Sequence, residues 1–304
     1  MQQLVNFELF FLLAHIFSMA FGLAGLLVVL PNAEFISQLS PVGQTLFQWG
    51  MSGGGVVYII LGAIAVSIYA YRTLGTWHWL TFMVPAIFLS LGSELLGTST
   101  GFPFGHYGYL NGLGYKISGL VPFTIPLSWF YLGFASYLLA RAGLKVEENA
   151  NSWWRQLGAI AFGSLLLTSW DFVLDPAMSQ TTSPFWVWYQ PGAFFGMPYS
   201  NFAGWFGTGV VFMSVAALLW KKVPLQTPRS LGFPLAVYIS NFAFAGIMSV
   251  GSGFLVPTAL GLVVGVLPAV ILWWQGTKNI PSSMGIPATL PEEPTKAPVE
   301  VALK

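Results

Sequence analysis

The chain has 304 residues, 55% of them apolar and 7% charged, with a mean hydropathy of +0.71, no cysteine and a net charge of +1. That composition describes a chain built for lipid rather than water. It excludes disulfides, thiolate metal sites and cysteine nucleophiles, and the near-neutral balance argues against a nucleic-acid partner.

Eight stretches are long enough to cross a bilayer: residues 9–30, 54–71, 80–96, 120–140, 157–174, 202–220, 231–250 and 254–274. The third is short and carries Pro85 and Glu94. Positive residues are retained on the cytoplasmic side. With both termini cytoplasmic, ten of the eleven Lys and Arg fall inside: Arg72, Arg141, Lys145, Arg155, Lys221, Lys222, Arg229, Lys278, Lys296 and Lys304. Lys116 alone falls outside. The fold class read from this pattern is all-α, a polytopic membrane bundle of about eight transmembrane helices over residues 1–279. Residues 1–8 have no basic n-region, so the first helix reads as retained rather than cleaved. Residues 280–304 turn to Pro, Ser, Thr, Glu and Lys and read as a solvated, disordered tail.

The polar residues collect at one face. Glu94 lies near the non-cytoplasmic end of the third span, and Asp171 and Asp175, the only two aspartates, lie near that of the fifth. On a helix, residues four apart share a face about 6 Å apart along the axis. An ionisable group near membrane depth costs roughly 2.5–3.5 kcal/mol, so such groups persist with a partner or a task. Asp175-Pro176 reads as the end of the fifth helix, where an acid opposes the macrodipole. The loops 97–119 and 176–201 are rich in Gly, Pro and aromatics and almost free of charge. Loops so apolar are expected to fold back over the helix ends and line a pocket with the three carboxyls.

Other residues read more plainly. Trp77, Trp79, Trp153, Trp154, Trp220, Trp273 and Trp274 fit interfacial belts. Trp129, Trp170, Trp186, Trp188 and Trp205 stand beside the carboxyl-bearing face. The three histidines, His15, His78 and His106, fall on different segments, so no shared histidine metal shell is expected. Phosphate loops, dinucleotide fingerprints and serine elbows are missing. Glu34 and Glu147 are carboxyls in loops away from this face.

Two groups of motifs follow in order. The first is Glu94-x-x-Gly97, Thr100-Gly101-Phe102-Pro103-Phe104-Gly105-x-Tyr107-x-Tyr109 and Val121-Pro122-x-x-Ile125-Pro126-Leu127-x-Trp129. The second is Asp171-x-x-Leu174-Asp175-Pro176, Trp186-x-Trp188 and Gly196-x-Pro198-x-x-Asn201-x-x-Gly204-Trp205. Together, over about residues 94–205, they resemble the carotenoid 1′,2′-hydratase family of integral membrane proteins. The resemblance implies hydration of an acyclic carotenoid end group, that of γ-carotene or of the dehydrated precursor of bacterioruberin. Carotenoid, water, membrane lipid and other carotenoid-biosynthesis enzymes are the implied partners, and no cofactor is implied. The chain departs from the family at Leu174, where many relatives carry methionine, and at Phe194-Phe195, where tyrosines are frequent.

The residue chemistry suits that reaction. Water adds to a trisubstituted alkene once a proton reaches the less substituted carbon and leaves a tertiary cation on the other. Carboxyls sharing an apolar pocket can divide their protonation states, one serving as acid while another stays ionised as base. Aromatic faces stabilise the cation, by roughly 2 kcal/mol when desolvated. Asp171 is the expected proton donor, with Asp175 or Glu94 as base, and the roles can be exchanged. Thr100, Tyr107, Tyr109 and Asn201 are candidate hydrogen-bonding residues, and Trp129, Trp170, Trp186 and Trp205 candidate walls. Two other classes use similar residues: a transporter or proton-coupled carrier of an apolar ligand, and a non-catalytic carotenoid-binding scaffold.

Overall fold

A computed structural model of the protein describes residues 2–149, 151–181, 183–223, 225 and 230–278. The tail read at 280–304 lies outside the described residues. The helices are α1 (Gln2–Ala24, running on through a π-turn at Gly25–Val29), α2 (Ala33–Gln38), α3 (Pro41–Thr100), α4 (Thr124–Gly143) and α5 (Trp153–Ser179). They are followed by α6 (Tyr199–Trp220), α7 (Gly232–Gly251), α8 (Leu255–Gly261) and, after a π-turn at Leu262–Val266, α9 (Leu267–Thr277). Among the described residues the fold is thus helical apart from short strands in two loops.

Six helices among the described residues are long and apolar enough to cross a membrane: Gln2–Val29, Gly53–Thr100, Trp153–Ser179, Tyr199–Trp220, Gly232–Gly251 and Leu255–Thr277. The eight stretches expected from hydropathy differ from these six in two places, each with a physical reason. The second and third both fall within α3, whose backbone leaves helical geometry at Gly75 (φ 81°, ψ 171°). Only glycine takes that conformation without strain, so the residue separates two helical halves. The fourth stretch is α4, which carries Ser128, Ser136, two tyrosines and Arg141. It is buried along nearly its whole length between α3, α5, α7 and α9. A helix walled by protein does not need the uniform apolarity of a lipid-facing one. By contrast α1 turns Phe10, Leu13 and Phe17 outward.

At one end of the bundle the helices are tied by ionic and polar contacts. Arg72 of α3 reaches Glu8 of α1 at 2.7 Å. Arg141 of α4 holds Glu147 at 2.8 Å, with Tyr137 and Gln156 on the same guanidinium. His78 bridges the carbonyls of Leu74 and Val223. Glu147, read as a loop carboxyl without a task, is therefore half of a buried ion pair.

At the other end the two apolar loops fold over the helix termini, as their composition implies. In the first lie β1 (Tyr107–Tyr109), β2 (Lys116–Ile117) and β3 (Val121–Pro122), and in the second β4 (Trp186–Trp188). β1 pairs antiparallel with β4, setting Tyr107 opposite Trp188 and Tyr109 opposite Trp186. Because side chains alternate along a strand, these four aromatics share one face of the ribbon. β2 and β3 form a second small ribbon.

Candidate active site

The fifth helix does not stop at Asp175. α5 continues through Pro176 to Ser179, correcting the reading of Asp175-Pro176 as its end. Proline so close to the terminus disturbs only the last turn. Asp171, Asp175 and Ser179 are therefore spaced i, i+4, i+8 and rise along one face. Glu94 comes from the last two turns of α3 and Asn201 from the first turn of α6.

All three carboxyls are buried, with exposures of 2% for Glu94, 1% for Asp171 and 2% for Asp175. Burial at this depth requires partners, and the partners are unequal. Glu94 accepts from Trp129 Nε1 at 2.9 Å, from Tyr109 Oη at 3.0 Å and from the Tyr107 hydroxyl. Asp175 accepts from Trp188 Nε1 at 2.9 Å, Trp186 Nε1 at 3.1 Å and Ser179 Oγ at 3.0 Å. Asp171 accepts at Oδ2 from Asn201 Nδ2, 2.7 Å away, and among the described residues that is its one protein donor. Two carboxyls thus have three of about four acceptor sites filled, with room for one more partner such as water, while the third keeps an oxygen for a proton or a ligand. The ribbon supplies four of the donors. Burial and the neighbouring Glu94 hold the phenols of Tyr107 and Tyr109 well above their ordinary pKa, so both remain protonated donors.

Two glycines of the motifs bring the acids into range. Phe104, from the loop after α3, is wedged between α3 and α6. A Cβ at Gly97 would lie 2.6 Å from its ring and one at Gly204 2.4 Å. Each glycine follows a site residue by three positions, Glu94 on α3 and Asn201 on α6, so a larger residue at either would push the acid cluster apart.

The three carboxyls, Tyr107, Tyr109, Asn201, Trp170, Trp186, Trp188 and Trp205 line one cavity of about 50 Å³. A water takes about 10–15 Å³ on that measure, so the space holds a few waters beside the acids. Trp170 also donates to the carbonyl of Asn241 at 3.1 Å. Trp129 stands behind this wall: it is stacked on Trp205 with ring centres 4.0 Å apart and reaches the site as a donor to Glu94. Thr100 is the sequence candidate that the fold does not bring in. It is exposed at the end of α3, and its hydroxyl bonds the carbonyl of Leu96. Of the departures from the family pattern, Leu174 lines the cavity. Phe194 and Phe195 instead pack with Phe172, Phe202 and Phe254.

Trp188, read in the sequence as standing beside the carboxyl-bearing face, is there as a donor to Asp175. Other contributors went unread in the sequence. Ser179 is signalled by its spacing of four from Asp175. Tyr58, Leu113 and Met178 also line the cavity, from α3, the first loop and α5, and no local pattern marks them. The histidines stay apart: His15 bonds the Tyr58 carbonyl and Asn241, His78 lies at the arginine end, and His106 is exposed.

Comparison with known proteins adds three findings. A family described as carotenoid biosynthesis protein matches residues 54–268. Over 138 residues the chain is 36% identical to the bisanhydrobacterioruberin hydratase of Haloarcula japonica, covering 45% of this chain and 43% of that protein. The alignment therefore spans less than half the length of that relative. No solved structure matches the chain.

Proposed function

The chain belongs to the carotenoid biosynthesis protein family, and on that premise we propose that it is a membrane carotenoid hydratase. It adds water across the terminal 1′,2′ double bond of an acyclic carotenoid end group and leaves a tertiary 1′-hydroxyl. The observation that carries this reading is the unequal trio of carboxyls on one small, aromatic-walled cavity. Among the described residues Glu94 and Asp175 each accept three hydrogen bonds, whereas Asp171 accepts one.

Asp171 delivers its proton to C2′ of the alkene, and positive charge develops at the tertiary C1′. The rings of Trp170, Trp186 and Trp205 bound the space where that charge forms, and an aromatic face attracts a cation. A water held by Glu94 or Asp175 attacks C1′ and gives up a proton to the carboxylate. Transfer of that proton across the cavity restores Asp171, so the sum is one water added. The indole and phenol donors fix the carboxylate oxygens in advance, so little reorganisation accompanies the step.

With Gly75 dividing α3 and α4 acting as a central span, the chain crosses eight times. Both termini are then cytoplasmic and the acid cavity lies near the opposite face. The ten-to-one distribution of Lys and Arg supports this orientation. The reading is tested with purified protein and an acyclic carotenoid in detergent, without oxygen and with chelator present. A hydrated product is expected; product formation that requires oxygen overturns it.

A further inference from the structure

The acid cavity is too small for a polyene, so the body of the substrate must lie elsewhere. A second cavity, of about 240 Å³, adjoins it and shares three wall residues with it, Tyr58, Leu113 and Met178. This second space lies between α1 and the first half of α3, closed on the inner side by Phe185 and Phe244. Among the described residues, none that lines it is charged. Phe21 and Leu46 on its rim are each 46% exposed, so it opens outward on the apolar surface.

The α3 wall is one helical face. Gly43, Leu46, Phe47, Gly50, Gly54 and Tyr58 recur at spacings of three and four, which is about 22 Å of helix. The facing wall includes Gly22 and the π-turn that begins at Gly25, where the wider backbone spacing leaves room between the helices. Tyr58, at the junction, is fixed from both sides. Its carbonyl bonds His15 Nδ1 at 2.7 Å, and its ring lies 5.3 Å from that of Phe244.

We infer that this apolar cavity holds the polyene body, and that Tyr58, Leu113 and Met178 form the passage through which the end group reaches Asp171. The inference rests on the hydratase reading for the identity of the occupant. It adds a binding surface on α1 and the first half of α3, away from the last turns of α3 that carry Glu94. An occupant with a long apolar body and one reactive end fits the two spaces together: a charge-free slot leads past three side chains to three acids.

Gly22 and Gly54 make the cavity testable, because a Cβ at either meets nothing within 4 Å. Gly22→Leu and Gly54→Leu therefore fill the slot without a backbone clash, and leucine favours the helix more than glycine does. Each full-length variant is given an acyclic carotenoid and, separately, a short isoprenoid with the same terminal alkene. The ratio of long- to short-substrate turnover should fall about tenfold or more, and less carotenoid should co-purify. Gly207→Leu on α6, where a Cβ also meets open space, should leave the ratio unchanged. Unchanged ratios and unchanged bound carotenoid in both slot variants overturn the inference and leave the slot to lipid chains. Equal loss on both substrates in folded slot variants, or a fall at Gly207→Leu alone, overturns it too. Wild-type protein that retains carotenoid through Gly22 and Gly54 but hydrates neither substrate leaves the slot standing and refutes the hydratase reading instead.

Discussion

At one end of the bundle Glu8 lies 2.7 Å from Arg72 and Glu147 lies 2.8 Å from Arg141. At the other, Glu94, Asp171 and Asp175 are as deeply buried, yet their partners are indoles, phenols, a serine and an amide. The nearby cation, Lys116, donates to the Tyr109 carbonyl and forms no ion pair with these acids. An acid facing arginine is held as an anion, and protonating it breaks an ion pair. Neutral donors impose no such lock, and a proton can come and go without stranding an opposite charge. Buried acids at the arginine end therefore serve the fold, and those at the ribbon end are available for chemistry.

Substitutions at the two ends should separate these roles. The largest effect is expected at Asp171→Asn, which keeps shape and the contact with Asn201 but removes the acid. Hydration should fall at least about 100-fold, measured per molecule of inserted, carotenoid-binding protein. A near wild-type rate would erase the distinction between the ends. Glu94→Gln and Asp175→Asn should slow turnover about 10- to 100-fold, the scale of hydrogen bonds to a charged group. Carotenoid binding, which depends on apolar contact, should persist in both.

The arginine end should answer in stability rather than rate. Glu147→Gln strands the buried Arg141 guanidinium, and breaking such a pair destabilises by about 3–5 kcal/mol. A lowered thermal midpoint with unchanged turnover per folded molecule is the expected result. Lost turnover at full stability would place chemistry at the wrong end. Removing one donor of three is a finer probe: Tyr107→Phe should slow hydration by about five- to tenfold. The smallest effect belongs to Glu34→Gln on the exposed α2, within about 0.5 kcal/mol and with no change in rate. Orientation has a separate test in this cysteine-free chain. Ser183→Cys should be labelled from the non-cytoplasmic side and Lys145→Cys from the cytoplasmic side, and the reverse pattern would invert the proposed topology.

How legible these features were in the sequence depended on how local their signals are. Asp171 and Asp175 could be paired because helical periodicity spans four residues, and the apolar loops announced that they must cover something. The continuation of α5 through Pro176 was hidden, since the local rule for proline favours a stop and only surrounding structure overrides it. Gly75 falls between the second and third hydropathy stretches, where a break was expected, but that a single glycine makes it shows only in the backbone angles. Thr100 and Trp129 sit in the same motifs as true wall residues, yet one caps its own helix and the other acts from behind Trp205. Glu147 read as an idle loop carboxyl because its partner is set by how the chain turns after α4. Tyr58, Leu113 and Met178 meet only through tertiary packing, which no spacing encodes.

Isotopic solvent shows whether an acid protonates the alkene and water follows: purified wild-type protein converts an acyclic carotenoid in deuterated, oxygen-18-enriched water under ordinary oxygen. The expected product has a hydroxyl oxygen from the water and one deuterium from solvent at the neighbouring C2′. Oxygen drawn from the gas phase, or a C2′ without solvent deuterium, would contradict it.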